Sequence, residues 1–299
     1  MRVTSPIKHV VIIVKENHGY DNYFGPFPGG SGVTLPHSPN PPPKDPNHRH
    51  AAWLTRDTTA ARVQFQEKDI PRYWDYARQF TLCDNYFTDV AGPSTPNHLM
   101  LIMADSPLID NPARSYRSKP GPPLYDQPSL PSQLDAAGLS WGNYSGYAFE
   151  FIKYTAGKRK SWQHFATDAA AGKLPTVSWL YADSALSEHP ADTPAERAAG
   201  AGDVTKGSEW TASQVQAVVA AGMWPQVAIF ITKSPGTWLR HYAQQRRTPQ
   251  SSLPIPTDRR SRVRNPWLCP GHARSASCIP ELGRRGTRPW SLLPLLHPR

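Results

Sequence analysis

The run His9-Val10-Val11-Ile12-Ile13-Val14-Lys15 places apolar, mostly β-branched residues at consecutive positions rather than alternate ones. A strand of that kind has no solvent face. It needs cover on both sides, as in a parallel sheet sandwiched between helices. The rest of the chain fits such a sandwich, because helical and strand patterns alternate along it. Asp69 to Phe80 has a helical apolar face of Tyr73, Tyr76, Ala77 and Phe80. Ser129 to Ala137 reads as a helix stopped by Gly138, followed by a strand from Leu139 to Tyr144. Trp162 to Ala171 with Thr176 to Tyr181, and Ser213 to Ala221 with Val227 to Thr232, repeat the pair. Leu99 to Met103 is apolar again, and residues 26–46, with Pro41-Pro42-Pro43, read as a long surface loop. The expected fold class is therefore α/β, a mostly parallel sheet flanked by helices. A hydrophobic content of 38% excludes wholesale disorder. No apolar run reaches the ~18–20 residues of a membrane-spanning helix.

The formal net charge of +10 invites a nucleic-acid reading until it is located. Residues 233–299 carry twelve arginines and Lys233 against only Asp258 and Glu281, so residues 1–232 are close to neutral. The same tail holds Cys269 and Cys278, and in stretches such as Arg259-Arg260-Ser261-Arg262-Val263-Arg264 the hydrophobic periodicity stops. The expected organisation is a folded body over 1–232 and a disordered Pro/Arg-rich tail over 233–299. Nucleic acid is not an expected partner of the body, though the tail could bind it. Cys83 alone lies in the body, so no disulfide framework or CxxC metal spacing exists there. The N-terminal apolar run, Val10 to Val14, is too short for a signal-peptide core, and no export leader is expected.

Ligands of open α/β sheets gather at the carboxyl ends of the strands. The first strand delivers Glu16-Asn17-His18 to that edge, with Glu16 and Asn17 offering hard oxygen donors for a divalent cation. A solvated Glu followed by a turn Asn is the plainer alternative. Gly92-Pro93-Ser94-Thr95-Pro96-Asn97-His98 sets Ser94 between a Gly-Pro turn and a helix start. A hydroxyl there can act as a nucleophile, or simply as a helix N-cap. Asp45-Pro46-Asn47-His48 and Ser187-Glu188-His189-Pro190 supply histidines able to donate to phosphoryl oxygens. No G-x-S-x-G elbow and no Walker-type loop is present.

Taken in order, Ile7 to Asn17, Asp21-Asn22-Tyr23-Phe24-Gly25, the Ser94 segment and Ser187-Glu188-His189-Pro190 resemble the bacterial phosphoesterase family over roughly residues 5–232. That family joins phospholipase C enzymes with related acid phosphatases. The resemblance implies an alkaline-phosphatase-like fold, a phosphate ester or phospholipid substrate, and a divalent metal ion. It implies Glu16, Asn17 and Ser94 as metal ligands, Ser94 as nucleophile, and His48 and His189 as catalytic groups. Between the two activities the reading leans to the phosphomonoesterase side. Relatives are commonly exported.

The resemblance ends at Thr232, where the family continues with an acidic pair, a Gly-rich turn and an Asp-His that complete the metal site. Here Lys233-Ser234-Pro235-Gly236 follows instead. The expectation is a chain lacking the C-terminal part of its fold, through truncation or a reading-frame change near codon 232. The competing functions are an inactive truncated homologue and a nucleic-acid-binding protein acting through its tail.

Overall fold

The computed structural model describes residues 5–55, 62–112 and 124–234. Along the chain, β1 (His9–Glu16) leads to α1 (Tyr20–Phe24), α2 (His50–Thr55), α3 (Pro71–Gln79) and α4 (Ser94–Met103). Then come α5 (Leu130–Ala136), β2 (Trp141–Tyr144), β3 (Arg159–Lys160), α6 (His164–Ala170), β4 (Val177–Tyr181), α7 (Pro194–Ala198), α8 (Val204–Ala220) and β5 (Val227–Ser234). The five strands form one sheet in the order β3-β2-β4-β1-β5, and every pairing is parallel. No helix among the described residues is long and apolar enough to cross a membrane.

The central strand behaves as its composition requires. Val11 and Ile13 pack on one face with Phe165 of α6 and Trp210 and Val218 of α8. Val14 packs on the other with Leu99 and Ile102 of α4, Phe149 and Trp179. Successive side chains of a strand point to opposite faces, so each face takes alternate residues of the one apolar run. A third cluster, Tyr23, Phe65, Ile70, Tyr73 and Trp74, joins α1 to α3.

Local signals place the ends of several helices. Ser129 caps α5 by accepting from the Ser132 amide at 3.3 Å, and Gly138 takes φ +69° just past its end. Asp203 caps α8 by accepting from Lys206 N at 3.1 Å. That helix begins well before Ser213, where its periodicity first becomes visible. Gly207 lies inside it, and a Cβ there would stand 2.2 Å from Glu188 Cγ, so packing overrides helix propensity at that turn.

The face expected of the 69–80 helix is displaced. Pro71 starts the α-helix, Tyr73 and Trp74 are the buried pair, and Phe80 lies beyond its end and is exposed. The long loop is free of helices over 26–46. The last strand runs two residues past the expected Val227 to Thr232, because β5 pairs with β1 as far as Ser234 opposite Glu16. The basic tail from residue 235 onward, with Cys269 and Cys278, lies outside the described residues.

Ile13 is fully buried at the centre of this arrangement. Ile13→Ala should therefore cost about 2–5 kcal/mol, read as a lower urea midpoint with an unchanged slope.

Candidate active site

The parity that divides the core also divides the last two residues of β1. Lys15 continues the row of Val11 and Ile13 and stands 4.7 Å from the centre of the Trp210 ring in α8. Glu16 continues the row of Val14 and faces α4. Asn17 then leaves the strand with φ +54°, a left-handed conformation that Asn tolerates better than most residues.

Ser94 is the first residue of α4, and Pro93 holds the N-cap position. The serine is therefore not a capping residue. Its Oγ donates toward Glu16 Oε2 at 2.8 Å and lies 3.1 Å from Asn17 Oδ1. The approach to the helix is held by Asn97, whose side-chain amide donates to the carbonyls of Val90, Gly92 and Pro93 at 3.0–3.1 Å. The Thr95 amide is engaged by Asn111 Oδ1 at 2.9 Å, so it is not turned to the Ser94 hydroxyl. His98, one turn along the helix, is buried with Nε2 3.3 Å from Glu16 Oε1. Burial lowers its basicity against the opposing charge of Glu16.

His48 and His189 arrive from two loops, with ring centres 6.4 Å apart. Each ring has Nδ1 against a proline carbonyl, Pro46 for His48 and Pro190 for His189. His189 Nε2 lies 2.9 Å from Asn17 Nδ2, and His48 Nδ1 lies 3.3 Å from Asp45 Oδ2. Burial would lower the basicity of His189, but the charges of Asp45 and Glu16 outweigh it and the net shift is upward. An open depression of roughly 350 Å³ lies between Lys44–Asp45 and Ala191–Pro194 and shares Asp45 with this group.

The structure thus brings Glu16, Asn17, Ser94, His48 and His189 to one place. His18, which the sequence offers beside them, turns away. It packs 5.2 Å from the Tyr23 ring, bonds to the Glu16 carbonyl, and is held by burial at about 3, hence neutral. Asp45 is the residue that the sequence reading passed over. Its only signal was its place three residues before His48. Two donor groups can hold a divalent cation. Glu16, Asn17 and Ser94 converge as hard oxygens, and Asp45, His48 and His189 offer ligand atoms within 4.8 Å of one another.

Beneath the site lies a buried charge cluster. Glu188, fully buried, takes φ +70° and accepts from Tyr23 Oη at 2.6 Å, Lys233 Nζ at 2.7 Å and the Tyr73 hydroxyl. Its other ammonium partner is Lys15, at 3.2 Å. Burial alone would raise the Glu188 carboxyl, yet Lys15 and Lys233 together hold it at about 2. Burial also lowers Lys233 to about 8, against the attraction of Glu188. A non-glycine residue is costly at this φ, and here the carboxylate is pinned from four sides. The Glu16 amide adds a backbone tie to Ser187 O at 3.0 Å. His189 follows directly from this anchor.

The sequence profile of the phosphoesterase family matches residues 43–233, a stretch that holds Asp45, His48, Ser94 and His189. The non-hemolytic phospholipase C of Pseudomonas aeruginosa is 26% identical over 75% of this chain and 41% of its own length. Phospholipase C B of Mycobacterium tuberculosis is 25% identical over 62% of this chain and 51% of its own. The non-specific phospholipase C4 of Arabidopsis thaliana is 24% identical over 71% of this chain and 40% of its own. The chain spans about half, or less, of the length of these relatives.

Glu188 generates a pH prediction. Its folded value of about 2 lies below its ordinary 4.5, so its stabilisation is complete above 4.5 and is lost as pH falls through 2. Glu188→Gln should flatten the fall in urea midpoint over that acid range. At neutral pH it should cost about 3–5 kcal/mol, because two buried ammoniums lose their partner.

Proposed function

The chain belongs to the phosphoesterase family, and from that premise we propose that its site hydrolyses phosphoric esters with Ser94 as nucleophile. The observation that carries the reading is the Ser94 hydroxyl at 2.8 Å from Glu16 Oε2 and 3.1 Å from Asn17 Oδ1, at the carboxyl edge of the central strand. Glu16, Asn17 and Ser94 would hold a divalent cation. When bound, such an ion lowers the pKa of a coordinated hydroxyl and offsets charge on phosphoryl oxygens.

Ser94 Oγ gives up its proton to water, since Glu16 would be engaged by the cation, and attacks phosphorus in line. The bond from phosphorus to the ester oxygen breaks on the opposite side, and a histidine protonates the departing alkoxide. Water then hydrolyses the phosphoseryl group and frees Ser94. His189 suits the donor role. With Nδ1–H given to Pro190, a proton gained at Nε2 faces the amide nitrogen of Asn17 and needs an oxygen acceptor, which a phosphoryl or leaving group supplies. His48 serves as the second phosphoryl contact. The relatives reported above are phospholipases C by name, which moves the substrate reading from a phosphomonoester toward a phospholipid.

A second reading, a homologue that keeps the site but does not turn over, is favoured by ligand count. In the β1–β5 register the residue opposite Glu16 is Ser234, not an acid. Cation affinity follows the number and charge of the ligands. The third reading, nucleic-acid binding, rests on residues outside those described.

The test is turnover of p-nitrophenylphosphorylcholine and p-nitrophenyl phosphate by the full chain with added Mn²⁺. Ser94→Ala should lower kcat by on the order of 10⁴-fold or more and abolish the phosphoseryl intermediate. Glu16→Ala should lower metal stoichiometry. Turnover retained in Ser94→Ala removes the nucleophile assignment, and no turnover by the parent chain favours the second reading.

A further inference from the structure

Asp45 takes no step in the reaction above, yet it touches each half of the site. Its Oδ1 accepts from Asn17 Nδ2 at 2.9 Å, and its Oδ2 lies 3.3 Å from His48 Nδ1. We propose that Asp45 is a positioning residue that turns the Asn17 amide so that its oxygen, rather than its nitrogen, faces Ser94 and the cation position.

An Asn side chain ends in two groups of nearly the same shape, one an acceptor and one a donor. The left-handed backbone of Asn17 fixes where the side chain starts but not which end faces Ser94. An ionised carboxylate can only accept, so the end facing Asp45 has to be the NH₂. Turned round, the amide would set its oxygen against the Asp45 carboxylate and its N–H groups toward the cation position. Both contacts would be repulsive. Neutral His189, with its proton on Nδ1 toward Pro190, reinforces the choice, since its Nε2 then accepts from the same NH₂ at 2.9 Å and gives up that bond only when it takes on the proton for the leaving group. Asp45 is itself only partly exposed, its side chain at 14%, so its hydrogen bond to Asn17 is shielded from competing water.

The inference rests on the cation reading of the preceding section, and its test separates the two. Mn²⁺ binding to the full chain is measured by calorimetry in a cycle of Asp45→Ala, Asn17→Asp and the double variant. A carboxylate at position 17 presents oxygen whichever way it turns. Asp45→Ala should therefore weaken Mn²⁺ ten- to hundred-fold beside Asn17, and leave it unchanged or tighter beside Asp at 17. An equal loss in both backgrounds would overturn the proposal, because it would make Asp45 a ligand or a remote charge. If the parent chain binds no Mn²⁺, the cation reading fails while the orientation of Asn17 can still be read. Its side-chain NH₂ resonances, identified by their absence in Asn17→Asp, should be protected from exchange in the parent chain and unprotected in Asp45→Ala. Resonances that Asp45→Ala leaves unmoved would sink the idea.

Discussion

The Glu188 carboxylate ties together four elements of the chain: the end of β1 through Lys15, α1 through Tyr23, α3 through Tyr73, and the end of β5 through Lys233. A charge this deep cannot lose its partners cheaply, so the loop bearing it is held to the sheet. Burial keeps both tyrosine hydroxyls protonated and therefore able to donate. Gly207 is required by the same group, since α8 passes too close for any side chain. What the cluster secures is the direction in which His189 leaves the turn.

Lys15 and Glu16 show how one strand serves structure and chemistry at once. They are neighbours in sequence and face opposite sides of the sheet. The lysine enters the charge cluster beneath α8, while the carboxylate meets Ser94 and His98 of α4. A one-residue slip of β1 would exchange the two roles. The apolar run before the pair puts the same kind of residue on both faces and does not set the register by itself, so the opposed partners of Lys15 and Glu16 help to fix it. Among the described residues β5 is one edge of the sheet, and its last residue, Ser234, stands opposite Glu16.

Strands and strand–helix alternation were legible because their signals are local. His9–Glu16, Val177–Tyr181 and Val227–Ser234 are apolar runs of the right length, and Ser129 and Gly138 mark the ends of α5 by their own chemistry. The start of α8 was not legible, since Gly207 contradicts helix propensity for the sake of a contact with Glu188. Nor was the buried face of α3, because the partner surface of Tyr23 and Phe65 selects Tyr73 and Trp74 over Phe80. Among candidate site residues, Glu16, Asn17, Ser94, His48 and His189 were each unremarkable alone. Only their order along the chain, matched to a family, singled them out.

The sequence by itself determined the α/β class, the central strand and the confinement of excess charge to the tail. These depend on composition, period and spacing, which are properties of neighbours along the chain. Tertiary structure decided that Ser94 is a donor to Glu16 rather than a helix cap, that His18 is packing, that Asp45 belongs to the site, and that Glu188 underlies it. Those roles are set by contacts that no local pattern records, from Asn17 and Asp45, 28 residues apart, to Tyr73 and Glu188, 115 apart, and by how far water is excluded where they meet.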